Sequence, residues 1–481
     1  MHNTLPTLIL GAGPAAIQLA VDISATGDAR LGLYNRPSTK GERLKQYLAL
    51  TPTLYLQGTG KAQATQKESS VTIDCYIDQL AQAVGDWQRL ILAVPADHYY
   101  AVLQQIPWAA LPQLKSVILL SSSMGSGLMV QNLLNAAGKR DVEVISLSSY
   151  YADTKYIRAE TQDISANTQD INAGTQDIGA IQPYRAYTKA FKQRIYLANQ
   201  WGNAGSAEMS WLTAVLARHH IDTLPCSNLL AAERFSITNY VHPPLALADT
   251  TLQALFYPEQ RSQYLYKTQP EGPVCPAVIA DLAGLADDYK RLLNRLGVEE
   301  INLLRFLNDD NYPVPASMVS RRWIDEFPQL PPLEQQYALF VRYTALLVDP
   351  YSTPDEQGRF YDFSAVKVAT VYQDANALWH LPRVPLEDVH KLRTLLLLAG
   401  ALDVVMPTAQ RLLQRFQQAL KAFIDRVGEE HCHPLYWGTI VTGRRPSSNN
   451  NGGARHEPRR VIGYSRLPDF QRDECVSQNH R

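Results

Sequence analysis

A short apolar strand runs straight into a glycine turn near the start of this chain, and that junction limits the possible folds more than any other feature. Thr7-Leu8-Ile9-Leu10 leads into Gly11-Ala12-Gly13-Pro14-Ala15-Ala16 and then the helical run Ile17-Gln18-Leu19-Ala20-Val21. A second strand, Arg30 to Tyr34, ends in Asn35-Arg36. Strand, glycine turn, helix and strand in this order make the opening βαβ unit of a dinucleotide-binding domain. Gly11 permits the tight turn. Gly13 lets backbone amides approach a pyrophosphate with no Cβ in the way. Ala16 takes the third small position, where helix and strand pack closely. Pro14 suits the first helical turn, where its missing N–H costs nothing. Gly11, Gly13, Pro14 and Ala15 are therefore the expected phosphate-binding residues, at a helix end that favours negative charge.

The end of the second strand selects the cofactor. An NAD site places Asp or Glu there to bond the ribose 2′-hydroxyl. This chain has Tyr34-Asn35-Arg36-Pro37-Ser38-Thr39-Lys40, with no carboxylate before Glu42. Arg36 and Lys40 would pair with a 2′-phosphate, and Ser38 and Thr39 would donate to it. The expected cofactor is NADPH/NADP+.

Composition removes several other classes. The 481 residues carry a net charge of −1, so no global field favours nucleic acid or an anionic membrane. Met1-His2-Asn3-Thr4 lacks the basic and apolar regions of a signal peptide. No apolar run approaches the roughly 20 residues of a membrane span. Five scattered cysteines suggest reduced thiols rather than a disulfide framework, so a cytoplasmic location is expected. His431-Cys432-His433 lacks paired ligand spacing, and no metal site is expected.

The α/β rhythm continues along the chain. Strands are predicted at Arg89–Val94, Ser116–Leu120, Val142–Leu147 and Lys192–Ala198, with little alternation, as in a parallel sheet buried on both faces. The loop Ser121–Gly127, rich in small residues, is placed to line a cleft. Thr-Gln-Asp-Ile recurs at 161, 168 and 175; one apolar position per heptad is too few for a coiled-coil seam, so 161–180 reads as a surface loop. Beyond residue 206 the period becomes helical, with candidates at 207–219, 277–296, 333–348, 386–402 and 408–427. The expected fold is α/β: an N-terminal Rossmann doubly wound parallel sheet over 1–205, then a mainly α-helical substrate domain over 206–440. The Asn-, Gly- and Arg-rich stretch 441–481 is expected to be disordered.

A Rossmann domain needs a partner that handles protons and holds the substrate. His242, in Asn239-Tyr240-Val241-His242-Pro243-Pro244-Leu245, is the candidate acid–base group, and its two following prolines predict a stiff, extended backbone. A carboxylate would orient such an imidazole. Asp349, in Leu347-Val348-Asp349-Pro350, and Asp153 are the candidates, with Asp355 and Asp362 in the loop 351–363. Arg342 suits either a substrate carboxylate or a structural ion pair.

Several strings together resemble one family. They are Gly-Ala-Gly-Pro-Ala-Ala-Ile-Gln-Leu-Ala (11–20), Tyr-Val-His-Pro-Pro-Leu (240–245), Glu-Gly-Pro (271–273), Asn-Tyr-Pro-Val (311–314), Val-Arg-Tyr-Thr-Ala (341–345) and Asp-Phe-Ser-Ala-Val (362–366). The chain is similar, from about residue 5 to about 430, to the opine dehydrogenases of bacterial nicotianamine-like metallophore synthesis, of the staphylopine, pseudopaline and yersinopine type. That resemblance implies an NADPH-dependent enzyme that reduces the imine formed between an aminobutanoyl-histidine intermediate and an α-keto acid, pyruvate favoured over α-ketoglutarate. It further implies a homodimer supplied by an upstream nicotianamine-like synthase. Arg36 matches the family's 2′-phosphate arginine, with Lys40, or Arg43 in its place, as the second basic residue. His242 matches the catalytic histidine and Asp153 an acidic position near the substrate.

The residues alone also admit an NADP-dependent 2-keto acid reductase of ketopantoate reductase type, or a non-enzymatic NADP(H)-sensing protein.

Overall fold

A computed structural model describes residues 5–27, 30–58, 68–158, 181–257, 259, 263–311, 313–345, 364, 366–374 and 376–434. The heptad repeats, Asp349, Asp355, Asp362 and the Arg-rich stretch beyond residue 440 lie outside these described residues.

The opening unit forms where its residues require. Strand β1 (Thr7–Leu10), helix α1 (Pro14–Ser24) and strand β2 (Leu31–Tyr34) are joined by the glycine turn, with Gly13 as the N-cap and proline in the first turn. Helix α2 (Thr39–Leu50), strands β3 (Thr53–Gln57), β4 (Glu68–Thr72) and β5 (Cys75–Ile77) follow. Then come β6 (Arg89–Leu92), α3 (Tyr99–Leu103), β7 (Ser116–Leu119), α4 (Ser126–Ala136) and β8 (Glu143–Leu147). Strands β9 (Ala152–Arg158), β10 (Ile181–Phe191) and β11 (Arg194–Asn199), helix α5 (Ala207–Ala217) and β12 (Asp222–Pro225) close this part.

The main sheet has the order β12-β11-β8-β7-β6-β1-β2-β5. From β5 to β8 all pairings are parallel; β11 then runs antiparallel to β8. The strand order reverses between β1 and β6, and the crevice at that switch point is where such sheets bind dinucleotides. Alternation divides the sheet into two buried faces. Ile9, Leu33, Ile91, Ile118 and Ile145 meet α1, α2 and α5 on one face. Leu8, Leu10, Leu90, Val117 and Val144 meet Trp87, Tyr99, Leu103 and Leu134 on the other. The sheet takes in β12, which the helical reading of the stretch beyond residue 206 did not include.

A second, four-stranded sheet of order β4-β3-β10-β9 lies over α1 and was not read from the sequence. Asp22 on α1 fixes its position, accepting from Tyr151 Oη at 2.5 Å and Gln18 Nε2 at 2.9 Å, with His219 Nε2 at 2.7 Å.

The rest is helical. Short helices α6 (Leu229–Glu233), α7 (Ile237–Tyr240), α8 (His242–Ala246) and α9 (Asp249–Phe256) lead into α10 (Pro276–Arg295). Helices α11 (Leu303–Asp309), α12 (Arg321–Glu326), α13 (Pro332–Ala345), α14 (Arg383–Ala401) and α15 (Pro407–Val427) follow, with a small hairpin of β13 (Tyr372–Gln373) and β14 (Trp379–His380). The long helices match the predicted periods closely. Each turns one apolar stripe inward; on α15 it is Leu412, Phe416, Leu420, Phe423 and Ile424. Truncating fully buried Phe416 to alanine would cost about 3–5 kcal/mol.

Candidate active site

Side chains from the main sheet, the small sheet and the helices converge at the carboxyl ends of the parallel strands. The cofactor turn is the first element. Gly11 has φ +128°, and a Cβ there would lie 2.6 Å from the Ala93 carbonyl oxygen, forcing β1 away from the chain that follows β6. At Gly13 a Cβ would meet nothing within 4 Å. Gly13, Pro14 and Ala15 are part-exposed, whereas Gly11, Ala12 and Ala16 are buried. The turn thus presents bare backbone and the first amides of α1 to open space, which fits a pyrophosphate.

At the end of β2, Arg36 is exposed and has no hydrogen-bond or ion-pair partner among the described residues. Lys40 Nζ donates to Tyr156 Oη at 3.0 Å and lies 5.0 Å from the centre of that ring. Tyr156 Oη donates in turn to the Ala12 carbonyl at 2.7 Å. Burial, and then the charge of Arg36, hold the Lys40 pKa below its ordinary value. Neither cation has a carboxylate partner among the described residues, so the pair fits a 2′-phosphate. Ser38 caps α2, its Oγ accepting from Gly41 N at 3.0 Å. Arg43 donates to the Ile181 carbonyl at 3.0 Å, which ties it to β10 rather than to the position of Lys40.

His242 opens α8. The extended backbone expected from its two prolines is not what forms: Pro243 and Pro244 occupy the first helical turn, where proline needs no amide partner. Its Nε2 lies 3.0 Å from Tyr266 Oη, and its Nδ1 lies 3.9 Å from Asp388 Oδ1 on α14. Gly272 keeps the loop carrying Tyr266 tight, since a Cβ there would overlap the carbonyl oxygens of Tyr264 and Lys267. Asp388 is 1% exposed, and neither of its oxygens accepts a hydrogen bond among the described residues. Lys391, on the next turn of α14, pairs with Glu387 Oε1 at 2.9 Å and lies 3.9 Å from Asp388 Oδ1. Burial, and then the Lys391 charge, push His242 down to about 4. Burial pushes Asp388 up to about 7. Enclosure thus favours the uncharged form of both partners, so the imidazole is neutral at pH 7 and can accept a proton.

Helix α14 is also tied to the sheet. His390 Nδ1 lies 3.0 Å from Asp97 Oδ2, just beyond β6. The His242 group therefore stands against the strand end that faces the nicotinamide half of a bound dinucleotide.

Of the other sequence-derived candidates, Asp153 is exposed on β9 opposite Ala190, and among the described residues no hydrogen bond or ion pair joins it to His242. Asp349 lies outside the described residues. Arg342 is buried and donates to the Leu307 carbonyl at 2.8 Å, bracing α11. The loop Ser121–Gly127 is closed to anions: Glu233 accepts from Gly125 N at 2.8 Å, Gly127 N at 2.7 Å and Ser146 Oγ at 2.8 Å, capping α4 itself. Sequence reasoning missed Asp388, Tyr266, Lys391 and Tyr156. One signal pointed to Asp388: it occupies the apolar stripe of α14 with Pro385, Leu392 and Leu395.

The family model for staphylopine dehydrogenase matches residues 5–441. Yersinopine synthase of Yersinia pestis is 99% identical over 438 residues, covering 91% of this chain and 96% of that protein. Pseudopaline synthase of Pseudomonas aeruginosa is 40% identical over 427 residues, covering 89% and 92%. A solved structure of yersinopine dehydrogenase with NADP+ bound superposes with a TM-score of 0.81. It covers 90% of this chain and 95% of that one, with 91% sequence identity.

Proposed function

We infer the reaction from one premise: this chain belongs to the staphylopine dehydrogenase family. It is an NADP-dependent oxidoreductase of the opine dehydrogenase kind. On our reading it condenses an aminobutanoyl-histidine intermediate with an α-keto acid and reduces the resulting imine, giving an opine metallophore. The observation that carries this reading is the position of His242, between Tyr266 and Asp388 and beside the helix that His390 ties to Asp97 just beyond β6.

The residues divide the work. Gly13, Ala15 and the α1 N-terminus hold the pyrophosphate, and Arg36 and Lys40 hold the 2′-phosphate, with Ser38 beside them. NADPH, when bound, supplies the hydride that the imine carbon takes up. His242 accepts a proton as the amine adds to the keto carbon and returns one as the carbinolamine loses water. Asp388 steadies the imidazolium that forms, as a buried carboxylate does in other acid–base pairs. Asp153 stays assigned to the substrate side on the family resemblance, and Asp349 stays a candidate to orient the imidazole from its place in the sequence alone. Pyruvate suits the site better than α-ketoglutarate, because Lys391 and Arg383 beside His242 are both tied to Glu387 and neither is spare for a distal carboxylate. A cytoplasmic homodimer, fed by a nicotianamine-like synthase, completes the proposal.

The test is NADPH oxidation with each substrate alone and both together, followed by mass spectrometry of the product. Oxidation only with amine and keto acid together, and a secondary amine as product, is the expected result. Oxidation by keto acid alone would identify a simple keto acid reductase instead.

A further inference from the structure

Lys192 has no role in the chemistry described so far, and its position is unusual. It lies between β10 and β11 at the carboxyl edge of the main sheet. Its backbone N–H donates to the Tyr151 carbonyl at 2.9 Å, and Ser148 N, just beyond β8, donates to the Tyr196 carbonyl of β11 at 2.8 Å. Those bonds hold the Lys192 backbone next to the strand ends on the nicotinamide side of the switch point. The half-buried Lys192 side chain makes one hydrogen bond, Nζ donating to Ser149 Oγ at 2.9 Å. Among the described residues no carboxylate lies within ion-pair distance of it. Among the described residues, the charges of Lys391, Arg383 and Lys192 each disfavour the imidazolium form of His242. The first two share Glu387, whereas Lys192 has no carboxylate. A desolvated ammonium with two unused donors is costly unless an anion arrives.

We propose that Lys192, with Ser149 beside it, binds the carboxylate of the α-keto acid and so holds the reacting carbon between His242 and the nicotinamide side of the crevice. This rests on the imine-reducing reading above. The substrate class is a 2-oxo acid, whose carboxylate is adjacent to the carbon that becomes the imine carbon. A single ammonium here accounts for one carboxylate, which again favours pyruvate. Burial alone, with no acidic group opposing it, pulls the Lys192 ammonium down to about 8, as expected of a cation enclosed without a counter-ion.

The test compares the full-length protein with its Lys192→Met and Lys192→Arg variants. Steady-state kinetics give separate KM values for pyruvate and for the amine. Calorimetry gives affinities for NADP+ and, in the NADP+ complex, for oxamate as a keto acid mimic. Lys192→Met should raise the pyruvate KM and weaken oxamate binding by about ten- to hundredfold, the loss of one charge-assisted contact. The NADP+ affinity should stay unchanged, which also shows that the variant folds, and Lys192→Arg should recover much of the loss. An unchanged pyruvate KM, a rise in the amine KM alone, or a loss of NADP+ affinity overturns the assignment. If the wild-type protein fails to oxidise NADPH with amine and keto acid, the reaction reading falls, and oxamate binding alone then decides the fate of Lys192. Wild-type protein that does not bind oxamate, or binds it as well without the lysine, overturns the proposal.

Discussion

Asp388 Oδ1 lies 3.9 Å from His242 Nδ1, too far for a hydrogen bond, and burial holds both groups toward their uncharged forms. Catalytic contacts are often long before substrate arrives and tighten in the complex. The buried carboxyl group, which accepts no hydrogen bond among the described residues and has Lys391 as its other charged neighbour, is placed to stabilise a proton taken up by the imidazole.

Replacing His242 by glutamine should lower kcat by about 10²–10⁴-fold, the usual contribution of a general acid–base group, with NADP+ affinity unchanged. Asp388→Asn should give a smaller loss in kcat and leave KM nearly unaltered. A variant of either residue that loses only substrate affinity would remove the assigned roles.

The two pKa shifts carry opposite stability signs. Asp388 is raised, so between about 4 and 7 the native state binds more protons than the unfolded chain, and stability falls as pH rises through that window. Asp388→Asn removes this loss, so its Tm advantage over wild type should grow from pH 4 to pH 7.5. A constant difference across that range would contradict the burial argument.

His242 is lowered, so its contribution runs the other way: it is complete above the ordinary histidine range and disappears as pH falls toward 4. Nuclear magnetic resonance of the histidine ring protons, assigned with His242→Gln, should show this ring still neutral at pH 6. Lys391→Met should move its midpoint upward, because that ammonium opposes the imidazolium. An inflection at the unperturbed value in wild type would refute the enclosure.

Cofactor choice should depend on two layers of residues. Arg36→Ala should weaken NADP+ binding by about ten- to hundredfold and leave NAD+ nearly unchanged. Tyr156→Phe removes the acceptor that holds Lys40 and the donor to Ala12, and should weaken NADP+ by about three- to tenfold. Calorimetry with both dinucleotides checks this; equal losses for each would mean that neither residue reads the 2′-phosphate.

Glu233→Ala should destabilise the fold by about 2–4 kcal/mol, since it leaves the Gly125 and Gly127 amides buried without their acceptor. Urea unfolding monitored by tryptophan fluorescence gives the shift. A change below about 0.5 kcal/mol, the scale of an ordinary surface substitution, would show that water replaces the carboxylate.

Local rules made much of this molecule legible. Gly11, Gly13 and Pro14 specify a turn through sterics alone, strands β1, β2, β6, β7 and β8 through continuous burial, and α10, α14 and α15 through the 3.6-residue period. The small sheet escaped because its strands are part-exposed and paired across long separations, as in Tyr55 beside Arg185. His242 was visible as a candidate, but its helical backbone was not, since a proline pair serves an extended segment or a first helical turn equally well.

Sequence by itself determined the nucleotide turn, the basic end of β2 and the α/β order, because each depends on neighbours a few residues apart. Tertiary structure alone decided that Asp388 and Tyr266 meet His242, that Tyr156 ties Lys40 to Ala12, and that Lys192 meets Ser149. Coulomb forces and hydrogen bonds act through space over a few ångströms, and no periodicity along the chain records which distant residues the fold brings within that range.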